Sequence, residues 1–159
     1  MNRIFSQRLL GLAGVSFLLC SSQLAMALVP LNVAIIVNSG STNTIGYRIY
    51  VSPIGEVNYV DGKGSHQGKL SQKLTKKFFR DVKIAEPLSN LPVQQSCVKS
   101  VSFGTITTIK LADQQSQDIS CPGNPKAQIL DNDVIAIAKA LNVVNVPKSQ
   151  GQPLPPQNF

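Results

Sequence analysis

One segment constrains this chain more than any other: "KLSQKLTKKFFRDVKIAEPL", Lys69 to Leu88. Leu70, Leu74, Phe78, Val82 and Ala85 recur there at helical spacing, so a helix gathers them into one apolar stripe. Ser71 is placed to cap its start. Pro87 marks its end, because proline lacks the amide proton a helix needs. Lys69, Lys73, Lys76, Arg80 and Lys83 fall on the opposite face, with Lys77 beside them, and only Asp81 and Glu86 oppose them nearby. The segment predicts a helix buried on one side and strongly positive on the other.

Something must cover the apolar stripe, and the flanking sequence supplies strands. Leu31, Val33, Ile35 and Val37 alternate with Asn32, Ala34 and Ile36, the period of a first strand. Ile45, Tyr47, Ile49 and Val51 alternate in the same way and read as a second. "SPIG", Ser52 to Gly55, is a turn, after which Val57 and Tyr59 continue as a third strand. "DGKGSHQG", Asp61 to Gly68, reads as a flexible glycine-rich loop holding the lone histidine, His66. Beyond the helix, Val101, Phe103, Thr105, Thr107, Ile109 and Leu111 share one face of a long strand. Asp113 and Gln114 turn the chain, and a short strand returns through Ile119. Gln128 to Leu141 is a second helix, with Leu130, Val134, Ile137, Ala138 and Leu141 as its stripe and Asp131 or Asn132 as its cap.

Short hairpin connections argue for an antiparallel sheet. The expected fold class is α+β: a two-layer domain with a sheet of about five strands and two amphipathic helices on one face. The other sheet face is expected to carry Arg48, Glu56, Asn58, Ser102, Thr108 and Lys110, which suits solvent or a partner.

The ends of the chain speak to compartment. Arg3 and Arg8 precede the apolar run Leu9 to Cys20, and Ala25-Met26-Ala27 follows as a cleavage site. That is the layout of a signal peptide spanning 1–27, with an apolar run too short to span a membrane comfortably. Leu19 before Cys20 is too large for a lipoprotein site. A single domain is expected over 28–146, and a disordered Pro/Gln-rich tail over 147–159. Removing 1–27 lowers the formal charge from +7 to +5, with 13 Lys and Arg against 8 Asp and Glu. Once Cys20 is gone, only Cys97 and Cys121 remain, and two cysteines in an exported chain most often pair. A metal site is the poorer reading, because there is one histidine and no C-x-x-C.

Candidate functional residues are few. "NSGSTN", Asn38 to Asn43, has the small hydroxyls, amides and glycine of a tight hairpin turn. Asn38, Ser39, Gly40, Ser41 and Asn43 also form a candidate binding loop, since a backbone nest there would take an anion or a sugar hydroxyl. It lacks the frame of a phosphate-binding loop or of a nucleophile elbow. Ser96 and Lys99 make the S-x-x-K of serine β-lactamases without that class's other motifs. Asp131-Asn132-Asp133 lacks the further oxygens and turn glycine of a calcium loop. No cofactor is implied.

"NSGSTNTIGYRI", "CVKSVSFGT" and "SQDISCPG" resemble segments of a group of small exported bacterial proteins with no assigned activity. The resemblance runs from Asn38 to Leu141 and implies export and the cysteine pair, but no site residue.

Two function classes follow. The first is an exported, non-catalytic binding module of unknown partner. Its candidate contact face is Lys69, Lys73, Lys76, Lys77, Arg80 and Lys83, suited to an anionic envelope component or an acidic protein. Nucleic acid is a poor partner for an exported chain whose basic stripe carries no interleaved aromatics. No membrane span is expected after signal cleavage. The alternative is a small hydrolase without a recognisable motif. That reading, which extends to other enzymes as well, gains if His66, Asp118 and a serine converge in one pocket.

Overall fold

The computed structural model describes residues 32–94, 97–100 and 104–143. The expected signal peptide, Ser96, Val101, Ser102, Phe103 and the expected tail lie outside them. Among the described residues six strands form one antiparallel sheet: β1 (Ala34–Gly40), β2 (Ile45–Val51), β3 (Glu56–Asp61), β4 (Gly64–Lys69), β5 (Thr107–Leu111) and β6 (Gln114–Gln115). Their order is β4-β3-β2-β1-β5-β6. The first four strands are a meander. The chain then makes helix α1 (Gln72–Ala85) and a single 3-10 turn at Leu88–Asn90, and returns to lay β5 on the free side of β1. Helix α2 (Pro125–Ala140) follows. This is the two-layer α+β architecture expected.

The core lies between the layers. Ala34, Ile36, Ile49, Val51, Val57 and Ile109 point from the sheet into Phe78, Val82, Leu130, Val134 and Ile137 of the helices. A fully buried Ile, Val or Phe stabilises such a core by roughly 1.5–3 kcal/mol. The apolar stripe of α1 is therefore committed to this core. Ser71 caps it as expected, its Oγ accepting from Leu74 N at 3.3 Å.

Several boundaries differ from those expected. Of the two alternating sets in β1, Ala34, Ile36 and Asn38 face inward. Both alternating sets are apolar there, so the pattern does not choose a face; pairing with β2 and β5 does. The glycine-rich stretch after Asp61 is a two-residue hairpin turn followed by edge strand β4, not a flexible loop. An edge strand needs no apolar alternation, and its six residues have none. The long strand shortens to begin at Thr107. Helix α2 starts three residues earlier than expected. Asn124 caps it, accepting from Ala127 N at 2.9 Å, and Pro125 takes the first turn, where no amide proton is needed.

Candidate functional site on the first helix

Helix α1 turns Thr75, Phe78, Asp81, Val82 and Ala85 inward. Lys73, Lys76, Lys77, Arg80 and Lys83 are exposed along its outer face, and the first four line a shallow open groove. Lys69 does not join them. It ends β4, opposite Glu56 of β3.

The five cations fall into two kinds. Lys77 bridges the helices: its Nζ donates to Asp81 Oδ2 at 2.9 Å and to Asp133 Oδ1 of α2. Arg80 Nε donates to Asp81 Oδ1 at 3.0 Å. Burial pushes the Asp81 carboxyl up, but Arg80 and Lys77 outweigh it and hold it below the usual aspartate range. Asp133 shifts the other way. Burial dominates, Lys77 only partly compensates, and its Oδ2 is buried with no partner. Hydrogen bonds to Asp133 and then Asp81 raise Lys77 in turn. Lys73, Lys76 and Lys83, by contrast, make no ion pair among the described residues.

Asn38, Ser39 and Ser41 of the loop candidates are hydrogen-bonded within the fold. Asn38, Ser39 and Gly40 belong to β1 rather than to the turn, which is Ser41 to Thr44. Asn38 is buried. Its amide donates to Thr105 Oγ1 at 3.1 Å and Thr107 Oγ1 at 3.0 Å, and its Oδ1 accepts from Gly40 N at 3.0 Å. Ser39 Oγ donates to Gly40 O at 2.7 Å and accepts from Ile106 N at 2.9 Å. Ser41 Oγ accepts from the amides of Asn43 and Thr44 at 3.3 and 3.2 Å. Gly40 has φ +66°, and a Cβ there would stand 2.4 Å from Gly46 N and Thr44 O. The stretch therefore meets the demands of turn and strand chemistry.

A polar cluster that the residue pattern did not reveal lies at the end of the sheet next to this turn. The Cys97–Cys121 disulfide, Cα atoms 5.9 Å apart, brings two segments together. Lys99 Nζ then reaches Asp118 Oδ2 at 2.5 Å, Ser120 Oγ at 2.6 Å and the Thr105 carbonyl. Asp118 Oδ1 accepts from Thr107 N at 3.0 Å and Ser120 N at 3.1 Å, with Ser120 Oγ 2.6 Å away. The only sequence signal was position: Lys99 two residues after one cysteine, Asp118 and Ser120 just before the other.

The cluster has the residue types of a serine–lysine dyad but the wrong electronic arrangement. Lys99 Nζ donates to three acceptors, one of them Ser120 Oγ, so it is placed as a donor to the serine rather than as its base. Burial raises Asp118, yet the bonds from Lys99, Ser120 and Thr107 outweigh it and hold the carboxyl below its usual range, making it a weak base. Tyr47, on β2, is pushed up to about 12 by burial and by the charge of Asp131, so its phenol keeps its proton.

His66 lies elsewhere. It sits on edge strand β4, stacks on Tyr59 with ring centroids 4.9 Å apart, and places Nε2 3.1 Å from Asp61 Oδ1. Asp118 follows β6, beyond the opposite edge of the sheet. His66, Asp118 and a serine do not converge; of the S-x-x-K pair, Ser96 lies outside the described residues and Lys99 is held in the cluster. Among the described residues no group of three or more His, Cys, Asp or Glu is placed to hold a metal ion. Among them, too, no helix is long and apolar enough to cross a membrane. No family model, curated protein or solved structure matches this chain.

Proposed function

We propose that this chain is an exported, non-catalytic interaction module that holds an anionic partner on the outer face of α1. The observation that carries this reading is the division among the helix cations. Lys77 and Arg80 are anchored on buried carboxylates, whereas Lys73, Lys76 and Lys83 project from the same face with no ion pair among the described residues. A rigid strip of uncompensated charge attracts anions from beyond contact distance. The leader-like N-terminus and the disulfide support export.

Salt dependence tests the reading. Retention on an immobilised anionic surface should be strong at low salt. It should fade as the Debye length shrinks to about 8 Å at physiological ionic strength. Replacing Lys73, Lys76 and Lys83 together by Gln should remove most of that retention and flatten its salt dependence. Equal retention of both proteins at every salt concentration would overturn the assignment of the face.

A further inference from the structure

A strip of lysines suits an acidic polymer and a bilayer equally. Two side chains that the fold leaves outside its core distinguish them. Ile84 is 56% exposed and Ile54 is 68% exposed. Lys73, Lys77, Arg80 and Ile84 stand at i, i+4, i+7 and i+11, so the isoleucine continues the cationic row at the C-terminal end of α1. Ile54 stands at the β2–β3 turn, where Pro53, Gln72, Thr75 and Lys76 line the same shallow depression. That places it beside the N-terminal half of the row. The cationic strip thus has a branched aliphatic side chain toward either end.

An acidic chain in water gains little from exposed isoleucine. A lipid surface uses both kinds of group: headgroup phosphates draw the lysines, and aliphatic tips reach the acyl boundary below them. The helix cannot roll to insert its apolar stripe, because Phe78, Val82 and Ala85 are in the core. The contact is therefore a rigid face lying flat, with two shallow anchors. We propose that the outer face of α1, with Ile54 and Ile84, docks the protein on a bilayer rich in anionic phospholipid headgroups. This rests on the anionic-partner reading above and gives that partner its chemistry.

The experiment compares exported wild-type protein with two variants, Lys73→Gln/Lys76→Gln/Lys83→Gln and Ile54→Ser/Ile84→Ser. Each is sedimented with phosphatidylcholine vesicles, with and without phosphatidylglycerol, and passed over an immobilised acidic polysaccharide. All carry the same N-terminus, so any attraction of that segment for lipid cancels in the ratios. Binding should require phosphatidylglycerol. At low salt the lysine variant should partition roughly a hundredfold less, from about 1 kcal/mol for each lysine near the surface. The isoleucine variant should partition about tenfold less on vesicles at every salt concentration and behave as wild type on the polysaccharide. Thermal unfolding checks each fold, and the Ile54→Ala/Ile84→Ala pair replaces the serine pair if its midpoint falls. If the isoleucine pair changes nothing on vesicles, or vesicles retain the protein no better than polysaccharide, the lipid assignment is overturned while the anionic-partner reading stands. Wild-type protein retained on neither surface overturns both.

Discussion

Lys99 and Lys73 carry the same ammonium group in opposite settings. Lys99 is three-quarters buried, and Asp118, Ser120 and the Thr105 carbonyl surround its Nζ. Lys73 stands in solvent with no ion pair among the described residues. The first lysine closes a fold; the second is free to meet something outside it. Charge alone does not mark a functional residue. What matters is whether the protein has already used that charge. Lys77 and Arg80 lie between the two cases, exposed on one side and tied to a buried carboxylate on the other.

Breaking the Lys99 end of this contrast should have the largest effects. The double variant Cys97→Ser/Cys121→Ser releases the segments that carry Lys99, Asp118 and Ser120. On the chain-entropy model it should lower stability by about 3–4 kcal/mol, measured by denaturant unfolding of oxidised wild type against the variant. A loss under about 1 kcal/mol would mean that the cluster holds the loop without its clamp.

Gly40→Val strikes the end of β1, where it enters the turn beside that cluster. It forces a β-branched residue to positive φ and drives Cβ into two backbone atoms, so the cost should be roughly 2–3 kcal/mol. Ser41→Ala, which keeps the backbone geometry, should cost less than half as much by the same unfolding measurement. Comparable losses would shift the burden from backbone strain to the hydroxyl.

Lys99→Met should cost about 2 kcal/mol at neutral pH by leaving the Asp118 carboxylate without its cation. The loss should depend on pH with a definite sign. Asp118 has a folded-state pKa below its unfolded value, so its contribution is present above the unfolded aspartate range and lost as pH falls through the folded value. The gap between wild type and Lys99→Met should narrow on acidification. A gap constant with pH would point to lost packing of the lysine stem instead.

The smallest effect belongs to the Lys73 end. Lys73→Gln, Lys76→Gln and Lys83→Gln should each change stability by less than about 0.5 kcal/mol. Arg80→Gln should cost more than any of them, since it takes a hydrogen bond from buried Asp81. Melting curves of the four single variants would separate the two kinds of cation. Four equal midpoints would erase the distinction.

The elements of this protein were legible wherever the local pattern had a single reading. Ser71, Pro87 and the stripe through Phe78 and Val82 marked α1, and strict alternation from Ile45 to Val51 marked β2. Two cysteines pointed to one disulfide. Legibility failed where local pattern was silent or ambiguous. In β1 both faces are apolar, and in β4 neither is, so only hydrogen-bonded register assigns the one and reveals the other.

The candidate site divides in the same way. That Lys73, Lys76, Arg80 and Lys83 share a face follows from helical periodicity, a property of neighbouring residues. That Arg80 and Lys77 are partly spent, and Lys73, Lys76 and Lys83 are not, depends on the burial of Asp81 and on Asp133 arriving from a helix more than fifty residues away. The joining of Lys99 to Asp118 and Ser120, and of Ile54 to the cationic row, likewise required chain segments distant in sequence to be packed together. Sequence by itself determined the periodicities and the Ser71 cap, because these are set by a few adjacent residues, and the cysteine pair, because two cysteines have one pairing. Tertiary structure alone decided which charges are neutralised and which stay available, because burial and counter-ions are properties of space and not of the chain.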